Sequence, residues 1–302
     1  MTARWPDFYI VGAPKAGTTS LYEYVAAYPE VFVPEQKELW FFGEDLDVRH
    51  RREWTAEEFL DLYRDAPPGS LCGVAYVWYL FSRAAAREIA EVRPDARIVI
   101  ALRNPSAALY ALHSEFVFDG NEDLEDFADA LAAEPDRCAG RRIPAEAHFP
   151  AGLCYRATVR YAEQVERYLD RFGSDHVHVL LFDDLIDRPQ ETCAAIVRFL
   201  GLSPRPEIPL PHANPNKRAR SALMRRFLAA PPAPLRRAVR AAVPTPLRRL
   251  AYRRAVALNS ATPGRVALTS ELRDRLRAEL DPEVAKLERL LGRPLPAWRA
   301  PS

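Results

Sequence analysis

The run Gly12-Ala13-Pro14-Lys15-Ala16-Gly17-Thr18-Thr19-Ser20-Leu21 joins a short apolar stretch, Phe8-Tyr9-Ile10-Val11, to a segment of helical periodicity. A strand, a glycine-bearing loop and a helix start, in that order, present free backbone N–H groups and the positive end of a helix dipole to an anion. Gly12 and Gly17 let the backbone approach a ligand closely, and Thr18, Thr19 and Ser20 add hydroxyl donors. The chemistry of such a loop is phosphate binding. It departs from the ATP-binding pattern Gly-x-x-x-x-Gly-Lys-Ser/Thr, which requires lysine where Thr18 stands; the lysine is at position 15 instead. From there an ammonium can reach the oxygen that bridges a phosphate and a transferred group, neutralising charge as that bond breaks. The competing reading is an ordinary strand-to-helix turn with a solvated lysine.

Two further residues carry reactive or anion-binding groups in a telling context. Glu38 stands beside Lys37 and ahead of Leu39-Trp40-Phe41-Phe42, an apolar cluster able to exclude water. A carboxylate there suits a general base for a hydroxyl proton, because partial burial raises its pKa. The commoner fate of a Lys-Glu pair is a surface ion pair before a core strand. Arg103 follows the apolar run Arg97–Leu102 and precedes Asn104-Pro105. That places a fixed cation at the carboxyl end of a sheet, where open α/β folds bind ligands, and a guanidinium matches phosphate in a bidentate manner. The alternative for Arg103 is a structural salt bridge. His113, His148, His176, His178 and His212 have no motif context, and a structural or exposed role is the default for each.

The elements that must position these groups follow from periodicity. Strands are expected at Phe8–Val11, Leu71–Ala75, Arg97–Leu102 and His176–Phe182, with helices at Thr18–Ala27, Thr55–Arg64, Ser82–Val92, Ser106–Phe118, Leu153–Arg171, Pro189–Leu200 and Ser270–Leu291. Strands alternating with helices read as an α/β fold, a central parallel sheet flanked by helices in three layers. A chain of 302 residues that is 48% hydrophobic buries a full core, so a single domain over residues 1–302 is expected. The 42 Lys+Arg against 41 Asp+Glu leave a net charge of +1, which argues against nucleic acid as a partner. The balance is reached by segregation: no carboxylate lies between Ile208 and Ser270, where arginines pair at 225–226, 236–237, 248–249 and 253–254 among prolines. This stretch is expected to be an insertion of short basic helices. It suits either an acceptor-site lid or contact with an anionic membrane surface, unless its arginines simply answer carboxylates elsewhere. Cys72, Cys138, Cys154 and Cys193 show neither CxxC pairing nor histidines at metal-ligand spacing, so no metal site and no disulfide framework is expected. With no leader or membrane-spanning run in view, a cytoplasmic location is the expectation.

Pro14-Lys15-Ala16-Gly17-Thr18-Thr19-Ser20-Leu21 resembles the 5′-phosphosulfate loop of the sulfotransferases that use 3′-phosphoadenosine 5′-phosphosulfate (PAPS). Lys37-Glu38-Leu39-Trp40-Phe41-Phe42 is similar to the Lys-Glu-x-x-Phe-Phe stretch of the heparan-sulfate and bacterial branch. Arg97 through Pro105 is similar to its 3′-phosphate strand and loop, and Leu287–Arg293 through Trp298 is similar to the ending of bacterial members. The resemblance implies a phosphate-loop-like fold. It implies Pro14, Lys15, Ala16, Gly17, Thr18, Thr19, Ser20 and Arg103 as nucleotide ligands, Lys15 and Glu38 as catalytic residues, and adenosine 3′,5′-bisphosphate as the released product. No metal is required, and the acceptor is a hydroxyl of a glycan, a lipid or another small molecule. Two departures stand out. The serine expected eight residues beyond Arg103 is Ala111, with Ser114 one turn away as a substitute. At Gly73–Tyr79, where relatives carry a lysine or Glu-Ala-Ser-Pro, only Gly73, Ala75, Tyr79 and Leu80 fit. Lys217 and Arg218 occupy the place of the late basic loop that closes over the nucleotide. An ATP-dependent kinase, and a protein that binds nucleotide or anionic lipid without turnover, remain as other readings.

Overall fold

The computed structural model describes residues 4–49, 52–210, 218–219, 260–261 and 268–299. Five parallel strands form one sheet in the order β2-β3-β1-β4-β5: β1 (Phe8–Gly12), β2 (Val31–Phe32), β3 (Leu71–Ala75), β4 (Arg97–Leu102) and β5 (Val177–Leu181). Its flanking helices include α1 (Thr18–Ala26), α2 (Ala56–Asp61), α3 (Ala85–Val92) and α4 (Pro105–Asp119). Next come α5 (Phe127–Cys138), α6 (Tyr155–Thr158), α7 (Tyr161–Phe172), α8 (Phe182–Asp187) and α9 (Pro189–Phe199). Near the C-terminus lie α10 (Ser270–Leu291) and the short α11 (Pro296–Arg299). The α/β architecture read from periodicity is the observed one, and β3, β4 and α10 match their expected bounds. All of β1 is buried, as are five of the six residues of β4, which is why both read as unbroken apolar runs.

The chain divides into two compact units. The first holds Met1–Ala108, Arg156–Asn214 and Arg273–Ser302, and with them the entire five-stranded sheet. Within it β1 lies at the centre, paired with β3 through Phe8↔Gly73 and with β4 through Phe8↔Arg97. From β1 the chain first builds β2 and β3 on one side and then crosses to β4 and β5 on the other. The order of strands therefore reverses at β1, and the carboxyl end of that strand is the switch point at which open sheets bind ligands. Gly73 permits the pairing: a Cβ there would fall 1.9 Å from the Phe8 ring.

Several expectations about these elements need correction. The helix expected over Leu153–Arg171 is broken into a 3-10 turn at Pro150–Leu153 followed by α6 and α7. Gln164 Nε2 donates to the carbonyls of Ala157 and Thr158 at 3.0 and 3.4 Å, satisfying acceptors that the break releases. β2 and α8 were not expected, since two and six residues are too few to carry a period.

The second unit holds Leu109–Tyr155 and Pro215–Leu272. In it the buried Arg137 guanidinium pairs with the buried Glu122 carboxylate, which also accepts the Tyr155 hydroxyl at 2.9 Å and the Leu124 N–H at 2.8 Å. Helix α5 supplies Arg137 and was absent from the sequence reading; it contains Pro135, and Asp126 caps it by accepting the N–H groups of Ala128 and Asp129. Contrary to the expectation from cysteine spacing, Cys138 and Cys154 form a disulfide, with 5.4 Å between their Cα atoms. Sixteen residues separate them, and only the fold of α5 against the 3-10 turn brings them together. Cys72 and Cys193 are free and buried. Between the described ends of the basic segment, 208–210 and 268–270, the described residues form a two-residue antiparallel pair, Arg218–Ala219 with Ser260–Ala261, and the rest of the segment, where short helices were expected, lies outside the described residues.

Burial by itself pushes the Glu122 carboxyl up, yet the bonds from Arg137, Leu124 and Tyr155 together hold it below its ordinary value. A depressed carboxylate contributes stability that is present above its unfolded pKa and lost as pH falls through the folded value. Arg137→Met should therefore cost about 3–5 kcal/mol at neutral pH, because it strands a buried charge. The deficit should shrink toward acid pH, where Glu122 is protonated in both variants. Urea denaturation at several pH values measures both, and an equal loss at every pH would contradict the assignment.

Candidate active site

The loop after β1 is built by a close approach of backbone. Leu80 N–H donates to the Val11 carbonyl at 2.7 Å and Tyr76 N–H to that of Ile10 at 3.1 Å, drawing the segment after β3 across the end of β1. A Cβ on Gly12 would lie 2.6 Å from Leu80 Cβ and 2.8 Å from the Val77 carbonyl oxygen, so glycine is required here for space. Five residues on, Gly17 caps α1 in the left-handed region at φ 82° and, being glycine, offers no side chain to the helix start. The first N–H groups of α1 have no acceptor within the helix, and with the dipole they have the character that suits an anion. Thr18 and Ser20 are buried, while Pro14, Lys15, Gly17 and Thr19 are half-buried and line the loop with the buried Ala16.

Arg103 leaves the end of β4 and donates from Nη1 to the Lys15 carbonyl at 3.0 Å. Its guanidinium lies 4.6 Å from the centre of the Phe182 ring, a cation–π contact that holds its plane. Arg103 thus sits against the anion loop, as its place at the strand end required. Lys15 itself has φ 62°. A left-handed lysine costs of order 1–3 kcal/mol, a cost that persists where the surroundings over-determine the conformation, as they do at functional sites.

Glu38 is the second such residue, at φ 61°. Its N–H donates to the Ala75 carbonyl at 3.2 Å, and its Oε2 accepts the Val77 N–H at 3.3 Å. Its Oε1 pairs with Lys37 Nζ at 2.8 Å, and the same ammonium donates to Thr19 Oγ1 at 2.7 Å. The carboxylate is therefore tied to the anion loop through one cation. Sequence reasoning took Lys37 only as the partner of Glu38 and missed this bridge. Tyr79 was also missed in this respect: its buried hydroxyl donates to the Leu39 carbonyl at 2.6 Å and accepts the Phe41 N–H at 3.1 Å, fixing the chain just after Glu38. Burial first, and the Glu38 charge second, push the neighbouring Tyr22 phenol up to about 12.

Of the remaining candidates, some fall in the second unit and others outside the described residues. Ser114 and the buried Ala111 are on α4 in the second unit, where the Ser114 hydroxyl donates to the Tyr110 carbonyl at 2.9 Å. Lys217 lies outside the described residues, and of Arg218 only the backbone, in its short strand, is described. His113 is buried with Nε2 at 2.9 Å from the Leu124 carbonyl, a structural role. Among the described residues no group of three or more His, Cys, Asp or Glu is placed to hold a metal ion.

The family model for the sulfotransferase domain matches residues 5–214, which include every element of this cluster. The chain belongs to the sulfotransferase family. Heparan sulfate glucosamine 3-O-sulfotransferase 5 of Mus musculus is 24% identical over 205 residues, covering 66% of this chain and 54% of that protein. Bifunctional heparan sulfate N-deacetylase/N-sulfotransferase 1 of Caenorhabditis briggsae is 22% identical over 218 residues, 68% of this chain and 23% of that one. The chain thus spans about half the length, or less, of these curated relatives. A crystal structure of a sulfotransferase from Alicyclobacillus acidocaldarius is 28% identical with a TM-score of 0.71, covering 98% of this chain and 99% of that one. It carries the same fold over nearly the full length.

The close approach at Gly12 generates a direct test. Gly12→Ala must displace Leu80 or the Val77 carbonyl, and overpacking of this kind costs about 1–3 kcal/mol. Chemical denaturation should show that loss.

Proposed function

We propose that the chain transfers a sulfuryl group from PAPS to a hydroxyl of an acceptor, leaving adenosine 3′,5′-bisphosphate. The observation that carries this reading is the single ammonium of Lys37 bonded both to Thr19 of the anion loop and to the Glu38 carboxylate. A base held at the mouth of an anion loop is what transfer from an anionic donor to a hydroxyl needs.

The donor set fits the nucleotide. The first N–H groups of α1, the hydroxyls of Thr18, Thr19 and Ser20, and Lys15 suit the 5′ end, and Arg103 suits the 3′-phosphate. PAPS supplies an activated sulfuryl group whose bond to the 5′-phosphate breaks as the acceptor oxygen attacks sulfur in line. In this reading Glu38 takes the hydroxyl proton, and Lys15 with the loop amides stabilises the charge that collects on the departing phosphate. Transfer of a sulfuryl group moves less negative charge than transfer of a phosphoryl group, so a lysine and backbone dipoles can serve where kinases use magnesium. The names of these relatives specify heparan sulfate, which favours a glycan as the acceptor class, and the 3-O-sulfotransferase among them favours a hydroxyl.

Adenosine 3′,5′-bisphosphate should raise the Tm without added metal, since a ligand of the native state stabilises it, and Arg103→Ala should weaken the shift. ATP with magnesium should give the smaller effect; a larger one would favour a kinase. On a glycan acceptor returned by mass-spectrometric screening with labelled PAPS, Glu38→Gln should keep nucleotide binding and lose kcat by a factor on the order of 10²–10⁴. Near-normal turnover in that variant would remove Glu38 from the role of base.

A further inference from the structure

Consecutive side chains on extended backbone point to opposite sides, so Lys37 and Glu38 would ordinarily diverge. The left-handed turn at Glu38, φ 61°, breaks that alternation and lets the two side chains meet at 2.8 Å. The Lys37 side chain is 18% exposed against 37% for Glu38, so the cation is the more enclosed partner. Its ammonium has three hydrogens; one goes to Glu38 Oε1 and another to Thr19 Oγ1 at 2.7 Å, in the first turn of α1. The other carboxylate oxygen, Oε2, is held by the Val77 N–H at 3.3 Å. Glu38 is thereby suspended between two supports, one of rigid backbone and one running through a lysine to the anion loop.

We propose that Lys37 is a positioning residue that couples occupancy of the anion loop to the orientation of the Glu38 carboxylate. The inference rests on the sulfotransferase reading of that loop. Without nucleotide, Lys37 holds Glu38 toward Thr19. An anion arriving at the helix start competes for the same ammonium and the same threonine hydroxyl, so the pull on Oε1 changes only when donor or product is bound. Coupling of this kind is reciprocal between the two sites. It directs the base toward an acceptor when the loop is filled.

The Val77 amide reports the carboxylate directly, because its hydrogen bond ends on Glu38 Oε2. Its ¹H–¹⁵N resonance is followed in the full chain with and without adenosine 3′,5′-bisphosphate. Glu38→Gln supplies the position of that resonance when the charge is gone. Lys37→Met and Thr19→Val should each move it toward the Glu38→Gln position, and Lys37→Arg should restore it. The Phe41 amide, bonded to Tyr79, should stay in place in all four variants and so excludes general disruption. Adding the nucleotide should shift the Val77 resonance in the wild type and leave it unmoved in Lys37→Met. If Val77 in Lys37→Met coincides with the wild type, or if bound nucleotide shifts both alike, the coupling is overturned. Absence of any nucleotide-induced Tm shift in the wild type counts instead against the PAPS reading, and the comparison of nucleotide-free variants still judges the role of Lys37.

Discussion

The site depends on one steric constraint, the contact of bare backbone at Gly12 with the chain that leaves β3. Because no Cβ intervenes, the Val77 carbonyl and Leu80 can lie against the end of β1. That same post-β3 segment supplies the Ala75 carbonyl and the Val77 N–H that hold Glu38. Placement of the anion loop and placement of the carboxylate are therefore two results of one packing event. Tyr79 extends it, since its hydroxyl fixes the backbone at Leu39 and Phe41 while its own carbonyl accepts the Tyr168 hydroxyl at 2.8 Å from α7.

Strain marks the groups that this packing serves. Among the described residues three that are not glycine have positive φ: Lys15, Glu38 and Arg142. Two of these are the residues for which roles in the transfer are proposed. Neither conformation is favourable on its own, and each is tied down by bonds from neighbouring chain, Arg103 to the Lys15 carbonyl and Val77 with Ala75 to Glu38. Stability is spent locally to aim polar groups, a pattern expected where function and local preference conflict.

The second unit solves a different problem. Arg137 and Glu122 have side chains 1% and 0% exposed, so each requires the other, and Tyr155 and Leu124 take up carboxylate capacity that remains. Arg137 adjoins Cys138 and Tyr155 adjoins Cys154, so the disulfide joins the chain immediately beside two of the groups that bond Glu122. A covalent link there narrows the unfolded ensemble and keeps the chain at Arg137 near the chain at Tyr155.

Period and composition in the sequence determined the parallel α/β sheet, because strands buried on both faces must be continuously apolar and the helices between them must carry an apolar stripe. The glycines and hydroxyls of residues 12–20 likewise marked the strand, loop and helix start that the structure shows, the arrangement whose backbone N–H groups suit an anion. Arg103 was legible for a similar reason: a cation directly after a buried strand has only the carboxyl edge of the sheet to occupy. Only the tertiary structure decided the rest. That the Glu38 carboxylate meets the ammonium that reaches Thr19 goes with a left-handed turn at Glu38, which nothing in the residue type suggests. The pairing of Cys138 with Cys154, the burial of Arg137 against Glu122 and the interruption between α6 and α7 are long-range outcomes as well. Their partners lie 16, 15 and 6 or 7 residues apart and meet only once packing has chosen which groups to exclude from water.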